Sequence, residues 1–175
     1  MPIREALLQD AAAVAAVHVR SWQAAYRGLF PQSYLDGLDV EERTGVWEAR
    51  LGAREGPTVL VATDPRSGDG RVVGFSCVRA WSGGGLDPAT TGEVAALYTV
   101  PEVWGTGVGR GLVDASVEAL VAAGFREGAL WVLAGNARAR GFYEAAGWRA
   151  DGAVAQDTTA GRTLDELRYR RRLFP

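Results

Sequence analysis

Cysteine, histidine and methionine occur once each, the first two as Cys77 and His18. A single cysteine allows no disulfide within the chain, which fits a reducing compartment. One His with one Cys leaves too few ligands for a zinc site built from those residue types, so no metal is expected. The same scarcity argues against a Ser-His-Asp or Cys-His nucleophile system. His18 falls in a helical pattern, where a packed or surface histidine is the simplest reading. Cys77 falls mid-strand, where a packed thiol is simpler than an acyl carrier. No apolar run reaches the roughly 18 residues needed to span a bilayer. Arg4, Glu5 and Asp10 interrupt the start, where a secretory signal would be apolar. The net charge of −2 gives no bulk attraction to nucleic acid or to an anionic membrane. The one basic run, Arg168, Arg170, Arg171 and Arg172, is spaced along a strand and reads as a solvated sheet face. The expectation is a cytoplasmic protein with neither nucleic acid nor membrane as partner.

What is present is ordinary globular composition, 47% hydrophobic and 23% charged over 175 residues, which predicts one domain over residues 1–175. Ile3–Ala6 reads as an edge strand, and Gln9–Tyr26 has helical spacing with Val14, Val17, His18, Ser21, Trp22 and Ala25 on one face. Gln32–Leu38 is a short helical piece. Asp39 is placed to cap a helix over Val40–Leu51, with Glu41 and Glu42 complementing the dipole in its first turn. Thr58–Thr63, Val72–Ala80, Glu93–Thr99 and Ala129–Ala134 read as strands. Helices are expected over Val108–Ala123 and Ala137–Ala146, stopped by Gly124 and Gly147. Trp148–Val154 and Leu164–Leu173 complete the strands. This order predicts an α/β (α+β) fold built on a mixed sheet.

The segment Gly92–Gly111 carries the most chemistry. An alternating apolar strand runs into the glycines 105, 107, 109 and 111, and these open a helix. Free backbone amides in front of a helix N-terminus suit a phosphate. A P-loop would need Gly-x-x-x-x-Gly-Lys-Ser/Thr, and neither the Lys nor the following hydroxyl is there. A dinucleotide fingerprint would need Gly-x-Gly-x-x-Gly, and Arg110 stands at the third glycine; the strand Ala129–Ala134 also lacks the acidic residue that holds a ribose. A tight turn with no ligand is the bland alternative, though four alternating glycines exceed what a turn requires.

The run Leu97–Leu112 resembles the acetyl-CoA loop of the GNAT superfamily of N-acetyltransferases, Gln/Arg-x-x-Gly-x-Gly/Ala after the fourth strand. Here it reads Trp104, Gly105, Thr106, Gly107, Val108, Gly109, with Trp104 at the Gln/Arg position. Downstream, Asn136, Ala139, Phe142, Tyr143, Gly147 and Trp148 fall in register with the family's fifth strand and following helix. The resemblance covers essentially the whole chain. It implies a mostly antiparallel sheet of about seven strands flanked by helices, with splayed central strands.

The resemblance also implies roles. Acetyl-CoA would be the co-substrate. Its pantetheine arm would hydrogen-bond the exposed backbone of Leu97, Tyr98 and Thr99, a form of strand addition. The pyrophosphate would meet amides across Trp104–Gly109, with Arg110 adding a charge-assisted contact. Tyr143 would act as general acid toward the leaving thiolate, by protonating it or by donating a hydrogen bond; as a bare side chain it reads equally as a core aromatic. Asn136 would contact the pantetheine or order water, and as a helix N-cap it would look the same. Glu93 is the candidate base, acting through water, against a solvent-facing carboxylate or direct transfer without a base. Amides near Tyr98 and Thr99 would hold the oxyanion. Trp22, Tyr26 and Trp81, with Tyr34 and Trp47, give the acceptor side an aromatic bias, although any of them could be core.

The expected activity is transfer of acetyl from acetyl-CoA to a primary amine of a small molecule or a peptide N-terminus by direct attack. A non-catalytic acyl-CoA-binding or sensor domain and a nucleotide-binding protein of another class remain alternatives. A homodimer is the expected assembly for an enzyme of this size.

Overall fold

The computed structural model describes residues 2–68 and 70–174. In chain order the elements are β1 (Ile3–Glu5), α1 (Ala11–Ala25), α2 (Gln32–Asp36), α3 (Val40–Leu51), β2 (Thr58–Thr63), β3 (Val72–Ala80), β4 (Thr91–Thr99), α4 (Val108–Ala122), β5 (Glu127–Leu133), α5 (Ala137–Ala145), β6 (Arg149–Thr159) and β7 (Arg162–Arg172). One seven-stranded sheet runs β1-β2-β3-β4-β5-β7-β6. Its pairs are antiparallel except for β4 with β5. The parallel pair needs a crossover, and α4 supplies it. The mixed sheet expected from the element order is therefore present.

β3 is buried on both faces from Val72 to Val78. Phe75 meets Trp47 and His18 on one side, and Ser76 accepts the Ser116 hydroxyl of α4 at 2.8 Å on the other. Alternate residues of one strand thus pack α1 and α3 against one face and α4 against the other.

The parallel pairing of β4 and β5 is short: Thr91 with Glu127, Gly92 with Gly128, Glu93 with Ala129. Two glycines face each other at this join because bulk has already filled the space above them. A Cβ on Gly92 would lie 2.4 Å from Leu120 Cδ2, and one on Gly128 would lie 2.8 Å from the fully buried indole of Trp148. Immediately beyond, β3 pairs Cys77 with Ala96 but Val78 with Val94, so Ala95 has no partner. An extra residue bends a strand and increases its twist. β4 swings away from β5 at that point, and the sheet opens into a V.

β6 and β7 run longer than alternation suggested. Their outer rungs pair polar residues, as in Thr158 with Thr163, and Ala160 and Gly161 turn the hairpin with φ of 54° and 72°. Positive φ at both positions matches the twist of the strands they join. The basic run on β7 is less solvated than expected, since Arg168 binds Asp151 at 2.8 Å with its side chain only 13% exposed.

His18 is packed, as its helical position allowed. Its ring stacks on Tyr98 with centroids 5.1 Å apart, and Nδ1 accepts a hydrogen bond from Trp47 Nε1 at 3.2 Å. Burial, and then Arg43 and Arg50, lower its pKa from 6.5 to about 3. The unfolded chain therefore binds this proton more readily than the fold does. The stabilisation from a neutral His18 is complete above pH 6.5 and is lost as pH falls toward 3, at up to about 1.4 kcal/mol per pH unit. Denaturant titrations across that range should show this slope, and His18→Gln should be less stable at neutral pH but flatter in acid. Identical slopes in the two proteins would mean that His18 titrates normally.

Candidate active site

The V between β4 and β5 is a cleft of about 560 Å³. Glu93 to Thr99 form one wall, Trp131 to Leu133 form the other, and the glycine loop, the first turn of α4, α5 and the end of α1 close the rest. From Val94 to Thr99 the β4 edge facing β5 has no strand partner among the described residues. Leu97, Tyr98 and Thr99 all line the cleft from that edge.

The glycine loop divides its labour. Gly105 and Gly107 have φ of 76° and 92°, a region that a Cβ disfavours. Gly109 and Gly111 are helical, and there a Cβ would press on Phe142 at 3.3 Å and Ile3 at 3.1 Å. The first pair thus shapes the turn, while the second lets α4 lie close to α5 and β1. The amides of Trp104 and Thr106 bond Pro101 and Val103 oxygens. Among the described residues, no acceptor serves the amides of Gly105, Gly107, Val108, Gly109 and Arg110. They make the anion-seeking end of α4. The Thr106 hydroxyl bonds the Val103 oxygen at 2.7 Å and the Val108 side chain is buried in the core, so these two belong to the loop through their backbone.

Trp104 donates Nε1–H to the Thr99 oxygen at 3.0 Å. Its ring carries the Arg138 guanidinium, whose Cζ is 3.4 Å from the ring centroid. Where the family pattern has a Gln or Arg, this chain has an indole with a cation from α5 resting on it. Arg110 lines the same end and is held by Asp114 at 3.1 Å.

Tyr143 and Phe142 both line the cleft, their rings 5.2 Å apart. Burial, and then the nearby Tyr98, push the Tyr143 phenol well above its usual pKa. Asn136 caps α5, with Oδ1 accepting from the Ala139 amide at 3.1 Å, and it also borders the cleft. Glu93 is 6% exposed. Its Oε2 accepts from Arg79 Nε at 2.8 Å and Ser82 Oγ at 3.0 Å, while Oε1 has no partner among the described residues.

The aromatics separate into layers. Tyr26 lines the cleft and sits 3.4 Å, oxygen to oxygen, from Tyr98. Trp22 stands behind it, edge-on to Tyr26 and His18. Trp81 also stands behind: its ring lies 5.9 Å from that of Trp131, and Nε1 donates to the Gly84 oxygen. Trp47 is core at 0% exposure. The indole that reaches the cleft from this side is Trp131, which sequence reading passed over along with Arg138 and Glu166. Strand alternation through Trp131 and Leu133, and helical spacing from Arg138 to Phe142, were the signals that could have found two of them. Among the described residues, no three His, Cys, Asp or Glu are grouped to hold a metal, and no helix is long and apolar enough to cross a membrane.

Residues 19–148 match the GNAT family of acetyltransferases. This chain belongs to that family. It is 32% identical over 134 residues to an uncharacterised N-acetyltransferase of Bacillus subtilis, covering 77% of this chain and 72% of that protein. It is 38% identical over 117 residues to the mycothiol acetyltransferase of Kocuria rhizophila, covering 65% of this chain but 36% of that longer protein. A Salmonella typhimurium structure solved with its cofactor acetyl-CoA shares the fold, with a TM-score of 0.73, 23% identity and coverage of 100% and 95% of the two chains. Membership makes this chain an acetyltransferase with acetyl-CoA as acyl donor.

The split among the glycines has a kinetic consequence. Gly107→Ala places a Cβ at φ 92°, costing about 1–2 kcal/mol and turning loop amides away. KM for acetyl-CoA should rise by roughly three- to tenfold. Gly109→Ala, which presses only on Phe142, should raise it less. Steady-state kinetics on both variants would check this, and the reverse order would place the pyrophosphate elsewhere.

Proposed function

We propose that this protein moves the acetyl group of acetyl-CoA onto a primary amine, of a small molecule or a peptide N-terminus, by direct attack on the thioester. The observation that supports it most is the unpaired inner edge of β4 leading into the unbonded amides at the start of α4. A pantetheine arm carries amides that can bond Leu97, Tyr98 and Thr99 as an added strand. The pyrophosphate then falls across Trp104–Gly109, with Arg110 and Arg138 as its cationic neighbours.

In this reading the amine nitrogen attacks the carbonyl carbon, and amides near Tyr98 and Thr99 hold the oxyanion. The C–S bond breaks as the intermediate collapses, and the sulfur leaves as thiolate. Tyr143 faces this thiolate. A free thiol has a pKa of about 8.5, and burial holds the phenol above its own usual range. A phenol that keeps its proton is available to donate a hydrogen bond, or that proton, to the forming thiolate. The amine's proton departs toward Glu93 through water, since Oε1 is the one oxygen of that carboxylate without a protein partner. Asn136 keeps its Nδ2 free for the pantetheine or for water while Oδ1 caps α5.

Thiol release from acetyl-CoA, followed over a panel of amines, tests the reading. Turnover is expected with at least one acceptor, and Tyr143→Phe should lower kcat by about tenfold or more with KM for acetyl-CoA within about twofold. Calorimetric binding of acetyl-CoA with no turnover on any amine would replace catalysis by a non-catalytic acyl-CoA-binding role. A Tyr143→Phe rate close to that of the unaltered protein would remove the tyrosine from the chemistry.

A further inference from the structure

The charged side chains lining the cleft are segregated. Arg110 and Arg138 stand on α4 and α5, at the glycine-loop end. Glu93 and Glu166 stand on the other face of the sheet. Leu130 and Val132 of β5 pack with Tyr143, so Leu133 points the opposite way, into a cluster with Phe30 and Leu35 beside α2. Glu166 lies directly across from Leu133 in the β5–β7 ladder and shares its face. The acceptor must approach from this side, because the cofactor reading above gives the α4–α5 side to acetyl-CoA.

Of the two carboxylates, Glu93 is bonded by Arg79 and Ser82. The Glu166 carboxylate has no hydrogen bond or ion pair among the described residues, although Asp165 beside it accepts from Gln156 and Arg168 binds Asp151. Asp157 on β6 acts on it electrostatically, and Glu166 in turn raises the phenol pKa of Tyr26, at the end of α1, and of Tyr98 on β4. Burial, and then Asp157, raise its pKa. A half-buried carboxylate without a partner is costly, and a bound cation would relieve the cost. Tyr26, Tyr98 and Trp131 add aromatic faces to the same cleft, and such faces attract an ammonium.

We propose that Glu166 pairs with a cationic group of the acceptor other than the amine that is acetylated, so that the enzyme selects amines carrying a second positive charge. This rests on the amine-acetylation reading above. The second charge is required chemically: an ammonium held against a carboxylate keeps its proton and cannot attack, so the nitrogen bound by Glu166 is not the nucleophile.

Two charge series with matched lengths test this. One is butane-1,4-diamine, butylamine and 4-aminobutanoate; the other is the tripeptides Ala-Arg-Ala, Ala-Gln-Ala and Ala-Glu-Ala. In each, kcat/KM should fall from the cationic to the anionic member by about tenfold or more. Glu166→Gln should compress that span at least about fivefold, and Glu166→Asp should retain the order. The effect should fall mainly on KM for the acceptor, with acetyl-CoA affinity by calorimetry and the thermal midpoint showing that the variants fold. A span that persists in Glu166→Gln, or a preference for neutral or anionic members, overturns the proposal while leaving amine acetylation standing. Transfer to none of the six by a protein that binds acetyl-CoA overturns both. If Glu166→Gln fails to fold, the ranking in the unaltered protein and in Glu166→Asp decides.

Discussion

A parallel strand pair that ends after Glu93 leaves the inner edge of β4 with unpaired amides and carbonyls inside the molecule. Backbone groups away from water carry a large penalty when unbonded, so a fold retains such an edge only where something completes it. The opening is forced locally. Ala95 has no partner on β3, and the bend this puts into β4 follows directly on the last rung shared with β5. The closed end cannot slip to mend the gap, because Gly92 and Gly128 are pressed by Leu120, Phe125 and Trp148. Side chains larger than hydrogen would part the strands at the join, and without the bulge the strands would zip together and fill the cleft.

The same opening organises the charge. One consequence of parting β4 from β5 is that α4 and α5 reach the cleft from one face, while α1 and β7 reach it from the other. The amide-rich start of α4 makes its face anion-seeking without any side chain. Arg138, laid on Trp104, adds a cation next to a fixed dipole. Arginine is suited to that position, since its planar guanidinium can stack on an indole and still present N–H groups to a phosphate. Trp104 therefore does not leave the loop without charge. It anchors through Thr99 and carries a cation that belongs to another helix.

The legible parts of the structure were those set by near neighbours in the chain. The Asp39 and Asn136 caps, the helix stops at Gly124 and Gly147, and the glycine turn all follow from local backbone requirements, and they stand where the residue types place them. The single parallel pair follows from the β-α-β segment around α4, whereas the insertion of β7 between β5 and β6 is set by long-range pairing that no local pattern announces. Less legible was the join itself. Gly92, Glu127 and Gly128 do not read as strand formers, and tertiary packing decides the join, with Leu120 and Phe125 over Gly92 and Trp148 over Gly128. Aromatic layering was hidden for the same reason. Trp22, Trp81 and Trp131 have similar propensities, and only tertiary packing decides that Trp131 faces the cleft while the other two stand behind it.

Glu166 shows most clearly why side-chain type alone is a poor guide to a site. On β7 it sits in a stretch dense with charge, LDELRYRRR, where an acidic residue invites pairing with a neighbouring arginine. Alternation puts the nearest arginines, Arg168 and Arg170, on its own face, but Arg168 is taken by Asp151 and Arg170 by Glu127. With those arginines neutralised elsewhere, the carboxylate at Glu166 is left facing phenols and an indole. The fold thus isolates one unpaired negative charge on the α1 side of a cleft whose lining cations, Arg110 and Arg138, stand on the α4–α5 side. On the reading proposed above, two substrates of opposite charge enter the same V from opposite faces, each attracted by its own wall and repelled by the other's.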